Sequence, residues 1–192
     1  RDNFAAEESA RARASGKSVY EILFDEMKDD FTNVLVAPHL AGTGTPYLDP
    51  LARGAFVNVS LATDRKELFL ACAQGTVLEF VVNYRAMEEC GLAPRTINAI
   101  GGGARSDKWL QMRSDALGMS INRMDVEEAG CAGSAIKAGC GTGVYASVAD
   151  GAAALARVEK TFEPRRDRAE RWRDLYGKYK GLYEALKPFR TS

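Results

Sequence analysis

The sequence Thr96-Ile-Asn-Ala-Ile-Gly-Gly-Gly-Ala-Arg-Ser-Asp-Lys-Trp-Leu-Gln-Met-Arg-Ser-Asp-Ala-Leu117 predicts a strand, a glycine turn and a helix in direct succession. The first residues, up to Ile100, form a short β-prone run. Three glycines follow, and Ser106 or Asp107 is expected to cap the helix, which repeats apolar residues on one side. Gly118 is placed to end that helix.

A strand, loop and helix of this kind holds phosphate groups well. Glycine lets the backbone adopt positive φ and approach a ligand closely. The free amides and the positive dipole end of the following helix then face an anion in the loop. The glycines alone leave a second interpretation open, a tight turn that binds no ligand.

Length and composition limit the class of protein. A chain of 192 residues with 46% hydrophobic residues predicts one domain of ordinary size, residues 1–192, with a sizeable core. The 26 basic and 26 acidic residues cancel, so neither nucleic acid nor an acidic membrane surface is an expected partner. No apolar run approaches the roughly 20 residues that span a bilayer.

The cysteines and the single histidine do not suggest a metal site. Cys72, Cys90, Cys131 and Cys140 are far apart and lack zinc-site spacing, and His39 is the only imidazole. We therefore expect no metal ligands and a cytoplasmic protein with reduced thiols. Without a partner for nucleophilic catalysis, His39 is expected to be a satisfied buried or surface residue.

The first half of the chain predicts helices and strands around one long loop. Two helices are expected on either side of a break at Ser15-Gly16-Lys17, the second of them over Val19 to Met27. An apolar strand, Val34 to Ala37, precedes a structured loop from His39 to Gly54 that is rich in glycine, proline and hydroxyls. Loops of this size inside compact domains are often functional, so the candidate functional residues here are Thr43, Thr45, Asp49 and Arg53. Asp49 and Arg53 are expected to pair and hold the loop.

Further strands and helices follow the loop. A strand is expected over Gly54 to Ser60, a long helix after Asp64, a strand over Ser120 to Met124 and a small-residue helix over Glu127 to Gly139. Gly75 lies inside the long helix, where it costs about 1 kcal/mol relative to alanine, so close packing is expected there. The last segment, Pro164 to Pro188, carries an aromatic stripe that should dock onto the domain, with arginines on its solvated face.

Several of these motifs occur together in one order. They are Gly54-Ala-Phe56, the long helix with Gly75, Ile100 to Trp109, Asp115 to Gly118, and Ala129 to Ala135. In this combination the chain resembles the C-terminal domain of the FGGY carbohydrate kinases, in particular the xylulokinase branch. The resemblance covers nearly the whole chain. It implies an α/β domain of the actin-like, ribonuclease-H-type ATPase class that forms the C-terminal half of a two-domain sugar kinase.

The same resemblance implies a function and a site. It implies ATP and Mg²⁺ as cofactors, a sugar hydroxyl as phosphoryl acceptor, and the N-terminal domain of the same protein as partner; a homodimer is left open. By position, Gly102 and Gly103 would let the backbone approach the nucleotide. Ala104, with its small side chain, would leave room for the nucleotide at the wall of the site. Asp107 stands where the family often has an adenine-contacting Asn. No catalytic residue is expected here, because the general base belongs to the N-terminal domain.

The resemblance also bears on where the chain begins. Residues Arg1 to Phe4 resemble the continuation of a helix that follows the family's phosphate hairpin, so the domain is expected to lack its first strands. We therefore expect the 192-residue chain alone to be inactive and only marginally stable. Departures from the family pattern at Ala41 to Pro46 and at Val57-Asn58-Val59 leave the sugar unspecified.

Two other classes remain open from the sequence. A dinucleotide-binding domain would also use a glycine turn, with Gly101 and Gly103 followed by Asp125, but Ser106 stands at the third glycine position. The other class is a non-catalytic, actin-like binding or scaffold module.

Overall fold

The computed structural model describes residues 5–27, 30–126 and 128–190. The chain groups into two compact units, one of Arg1–Ala93 with Asp167–Ser192 and one of Pro94–Arg166. The single domain over residues 1–192 stays a prediction. Two sequence expectations, the helical start at Arg1 to Phe4 and the start of the small-residue helix at Glu127, fall outside the described residues.

The helices and strands follow one another in this order: α1 Ala6–Ser15, α2 Val19–Glu26, β1 Leu35–Ala37, β2 Ala55–Val57, α3 Arg65–Glu89, β3 Ile97–Ala99, α4 Asp107–Leu117, β4 Ile121–Met124, α5 Ala129–Gly141, α6 Val148–Leu155, β5 Val158–Phe162, α7 Ala169–Tyr179 and α8 Leu182–Leu186. Short 3₁₀ turns lie at Gly102–Ala104, Arg166–Arg168 and Lys187–Phe189. No helix in the described ranges is long and apolar enough to cross a membrane.

Helix α3 organises the first unit. Asp64 caps its first turn by accepting a hydrogen bond from the Glu67 amide at 2.7 Å. A Cβ added to Gly75 would lie 2.3 Å from the carbonyl oxygen of Val36, so β1 rests directly on the helix backbone. The close packing expected at Gly75 is confirmed.

Strand β2 pairs antiparallel with β1 but is shorter than the sequence predicted. The expected strand ran from Gly54 to Ser60, whereas β2 ends at Val57. Asn58 follows with φ 67°, a left-handed conformation that ends an extended segment.

The loop between β1 and β2 is held by residues far away in sequence. Asp49 accepts hydrogen bonds from the Tyr183 hydroxyl at 3.0 Å and from Arg190. Arg53 donates instead to the carbonyls of Pro50 and Ala52, at 3.0 and 2.9 Å. The predicted pairing of Asp49 with Arg53 is therefore wrong.

His39 is a satisfied buried side chain, as expected. It is 5% exposed, and its Nε2 lies 3.3 Å from the Glu79 carboxylate. The same carboxylate accepts a 2.7 Å hydrogen bond from Tyr179 on α7. Burial, followed by the charge of Glu79, raises the pKa of Tyr179, which keeps this hydroxyl protonated and donating.

The C-terminal stripe docks onto the first unit in two helices rather than one. Trp172, Leu175, Tyr179 and Leu182 are buried, and Trp172 meets Phe31 edge to face at 5.2 Å. The helix breaks at Lys180 and Gly181.

The second unit has a three-stranded sheet in the order β3, β4, β5. Strands β3 and β4 are parallel, and β4 and β5 are antiparallel. Helix α4 covers one face, with Leu110 packed against Ile121 and Phe162 in a core that also includes Ala104. The sequence analysis did not predict β5 or α6.

A buried ion pair connects α4 to the end of β5. Asp115 is 2% exposed and accepts hydrogen bonds from the Arg165 amide, Nε and guanidinium nitrogen at 2.8, 2.9 and 2.7 Å. Gln111 adds another at 2.8 Å. The sequence predicted that Arg165 lies on a solvated face. In the structure it pairs with a buried carboxylate instead.

Replacing Gly75 by alanine is expected to lower the free energy of unfolding by about 1–3 kcal/mol, because the added methyl must push β1 away from α3. Urea denaturation measures this. Gly177→Ala in α7 is the matched control: an added Cβ there meets nothing within 4 Å, so up to about 1 kcal/mol of stabilisation is expected. If both substitutions changed the free energy of unfolding in the same direction, the close packing of β1 on Gly75 would not explain the effect.

Replacing Asp115 by alanine is expected to cost about 3–5 kcal/mol, since it leaves the Arg165 charge without its buried partner. Asp167→Asn, at a side chain that is 80% exposed, is the control and should stay within about 0.5 kcal/mol of the parent. A cost for Asp115→Ala as small as that of the control, measured by chemical denaturation, would show that the pair contributes little.

Candidate functional site

The strand, turn and helix predicted from the sequence are present. Strand β3 leads into Gly101, whose φ of 74° and ψ of −170° favour glycine at this position. The 3₁₀ turn Gly102–Ala104 follows, and Ser106 caps α4 by accepting a hydrogen bond from the Trp109 amide at 3.3 Å. Of the two caps considered, Ser106 rather than Asp107 holds this position.

The outer side of this turn is open. Gly102 and Gly103 are exposed, and a Cβ added to Gly102 would meet nothing within 4 Å. At Gly103 it would meet only the Trp109 indole nitrogen, at 4.0 Å. Within the described residues, the amides of Gly102, Gly103 and Asp107 donate no hydrogen bond. The turn therefore presents free amides and free space at the positive end of a helix.

Ala104 faces the other way. It is 5% exposed, and its side chain belongs to the core of the second unit. Its amide donates to the Gly101 carbonyl at 2.9 Å, and its carbonyl accepts from Arg123 Nε at 2.8 Å. Its side chain therefore packs inward instead of lining the open side of the turn.

Asp107 is the first residue of α4, and two cations hold its carboxylate. Lys160 Nζ lies 2.5 Å from Oδ2, and Arg123 bonds Oδ1. The hydrogen bond from Lys160, with that from Arg123, holds the pKa of Asp107 below its usual value. The side chain is still 54% exposed, so part of its surface faces solvent.

Sequence reasoning missed Arg123 and Lys160. They lie on neighbouring strands and are paired in the register of β4 and β5. Both cations also lie over the Phe162 ring, at 5.3 and 5.0 Å from its centroid. Arg123 lies on the predicted strand β4, whereas the position of Lys160 next to the glycine turn follows from β5, which no sequence pattern indicated.

The acidic residue of the dinucleotide interpretation has a structural role. The Asp125 carboxylate accepts a 2.7 Å hydrogen bond from the Arg157 amide, and the Asp125 amide donates to the Arg157 carbonyl at 3.0 Å. It therefore fixes the connection into β5. The antiparallel β5 also differs from the parallel sheet of a dinucleotide-binding domain.

The loop residues that the sequence singled out lie in the first unit. Thr43 and Asp49 exchange two backbone hydrogen bonds of 2.9 Å, which stiffen the loop. Thr43 and Thr45 line an open cavity of about 400 Å³ beside His39 and Glu79. In the part of the chain that the structure describes, no group of three or more His, Cys, Asp or Glu residues could hold a metal ion.

Comparison with known proteins decides the family. Residues 2–142 match the model of the FGGY family of carbohydrate kinases, C-terminal domain. The chain belongs to this family. It is 32% identical to the xylulose kinase of Staphylococcus epidermidis over 80% of this chain and 30% of that protein. It is 33% identical to the glycerol kinase of Bordetella parapertussis over 79% of this chain and 31% of that protein.

Solved structures support the same family assignment. The xylulose kinase from Rhodospirillum rubrum matches with a TM-score of 0.75 and 26% identity, over 95% of this chain and 37% of that one. The predicted fold class, the actin-like ATPase domain of an FGGY sugar kinase, is confirmed. The chain spans about a third of the length of the curated relatives it matches. That it lacks the first strands of the domain stays a prediction.

The depressed pKa of Asp107 predicts a pH-dependent contribution to stability. A carboxylate with a lowered folded pKa stabilises the fold above its usual value near 3.8, and this contribution is lost as the pH falls through the folded value. Thermal unfolding should therefore give a higher Tm for the parent than for Asp107→Asn at about pH 7, and the difference should shrink as the pH falls below the ordinary carboxylate value and through the folded pKa. A constant difference across this range would contradict the ion-pair interpretation.

Proposed function

We propose that this chain supplies part of the nucleotide-binding lobe of a kinase that transfers a phosphoryl group from ATP to a hydroxyl of a sugar, a pentulose or a related carbohydrate. The observation that carries the proposal is the open glycine turn at the N-terminus of α4 in a member of the FGGY family. Relatives named xylulose kinase and glycerol kinase support the reaction class. The whole protein is proposed to be an enzyme.

The residues of the turn are suited to a nucleotide. Gly102 and Gly103 would contribute their amides and the space above them, where no side chain intervenes. Ala104 would contribute through its main chain, because its side chain lies in the core. Asp107 is proposed to face the adenine with the exposed part of its carboxylate, which accepts hydrogen bonds and therefore suits an amino group.

ATP, when bound, supplies the phosphoryl group, and Mg²⁺ is proposed to accompany it through the phosphate oxygens, as is usual for this ion. The chain's own contribution is to position the nucleotide and to offset its charge, which is the main way proteins catalyse phosphoryl transfer. No catalytic residue is assigned to it. The general base is proposed to lie in an N-terminal domain of the same protein, a cytoplasmic location is part of the proposal, and a homodimer remains open.

The test is an assay of the protein at its full natural length with a panel of pentuloses and polyols. We expect ATP-dependent phosphorylation of at least one of them, measured as ADP release that depends on the sugar. The 192-residue chain alone, as the control, should give no ADP above a blank. ATP binding with no turnover for any acceptor would favour the non-catalytic module, and a preference for NAD would favour the dinucleotide interpretation.

Gly103→Val tests the role of the turn in nucleotide binding. The added side chain would occupy the space proposed for the nucleotide, while the fold has room for a Cβ there. We expect at least a tenfold weaker ATP affinity, equivalent to about 1.4 kcal/mol, with sugar binding and Tm nearly unchanged. Calorimetric titration with each ligand measures this. Equal losses for both ligands would indicate a general folding defect.

A further inference from the structure

Arg123 lies at the centre of the second unit's sheet, between its neighbours on β3 and β5. It is paired with Ala99 on one side and with Lys160 on the other. Its side chain is 14% exposed. The proposed function does not use it, although its guanidinium reaches the glycine turn.

The guanidinium holds two points of the turn at once. Its Nε donates to the Ala104 carbonyl at 2.8 Å, at the end of the 3₁₀ turn. Its terminal nitrogen bonds Asp107, the first residue of α4. Because the guanidinium is a rigid, planar fork, these two contacts fix the distance between the turn and the helix start.

The guanidinium of Arg123 is itself held in place by the core. The guanidinium lies 5.3 Å from the centroid of the Phe162 ring, and Phe162 is 4% exposed in the core of the unit. A cation over an aromatic ring is attracted to it. Arg123 therefore connects the open turn to the core, although its other terminal nitrogen also lies 3.8 Å from the exposed Glu159 carboxylate.

Lys160 provides the natural comparison. It also bonds Asp107 and also lies over Phe162, at 5.0 Å. Among the described residues its ammonium bonds Asp107 and not Ala104, it is half exposed, and an ammonium on a flexible stem fixes no direction. Lys160 thus offsets the charge of Asp107 without setting the geometry of the turn.

We infer that Arg123 is a positioning residue of the nucleotide site, which holds the amides of Gly102 and Gly103 in the arrangement that receives the phosphates of a nucleoside triphosphate. This inference rests on the proposed nucleotide-binding function. It assigns the geometry of the turn to the bond between Arg123 and the Ala104 carbonyl. The positive charge that offsets the Asp107 carboxylate comes from both Arg123 and Lys160.

Two variants separate geometry from charge. Arg123→Lys keeps the positive charge but cannot make both contacts of the fork, whereas Lys160→Met removes a charge and leaves the fork in place. In the protein at full natural length, we expect Arg123→Lys to raise the Kd and KM for ATP about tenfold, the scale of one lost charge-assisted hydrogen bond. Lys160→Met should raise them less than about threefold, and this smaller effect should shrink at high salt.

Hydrogen exchange gives a readout that needs no ligand. In Arg123→Lys the hydrogen-bonded amides of Ala104, Arg105 and Trp109 should exchange faster, while those of the β4 and β5 ladder keep their protection. A merely structural role would instead lower Tm and protection throughout the unit and leave the ATP affinity unchanged below the transition.

The outcomes are distinguishable. If the parent binds ATP and Arg123→Lys binds it equally well, or if both variants weaken binding by the same salt-sensitive factor, the inference is overturned and the proposed function stands. If the parent binds no ATP, both are overturned. A tenfold loss confined to ATP, with the half-saturating sugar concentration unchanged, supports the positioning role.

Discussion

The fold depends on how closely neighbouring elements approach the backbone at glycine. In the first unit a Cβ on Gly75 would lie 2.3 Å from the Val36 carbonyl, and in the second a Cβ on Gly151 would lie 2.6 Å from Ile136. At both places the absent side chain is replaced by a neighbouring element. Gly102 differs, because nothing lies within 4 Å of the same position. Packing explains a glycine whose side-chain position is filled by a neighbouring element, whereas Gly102 and Gly103 have no packing partner of that kind, which leaves space for a ligand there.

The charges at the turn complement each other in a way that suits this explanation. An acidic residue at the first position of a helix interacts favourably with the dipole, but a bare carboxylate beside free amides would also repel an anion. Arg123 and Lys160 offset that charge, and the lowered pKa of Asp107 records their influence. The chain as a whole is neutral, so this local arrangement, not a global field, is what can attract a polyphosphate.

Local signals made much of the fold predictable. The cap at Ser106, the left-handed Gly118 that ends α4 and the mid-helix Gly75 are read from a few neighbouring residues, and each is found where the sequence places it. Strand β5 was missed because four of its five residues are exposed and no apolar alternation marks it. The partners of Asp49 were missed for a different reason. Tyr183 and Arg190 are 134 and 141 residues away in sequence, and local charge patterns do not predict contacts between residues so far apart.

The same limit explains why the candidate site was predicted only in part. The glycine turn can be recognised from the three consecutive glycines. The side chains around it come from β4 and β5, and Lys160 is 53 residues from the Asp107 that it bonds. The residues of the β1–β2 loop are fixed by a separate set of contacts, centred on Asp49 within the first unit. Departures from the family pattern in that loop therefore need not disturb the glycine turn. A nucleotide role for the turn is therefore compatible with these departures, because different residues hold the two regions.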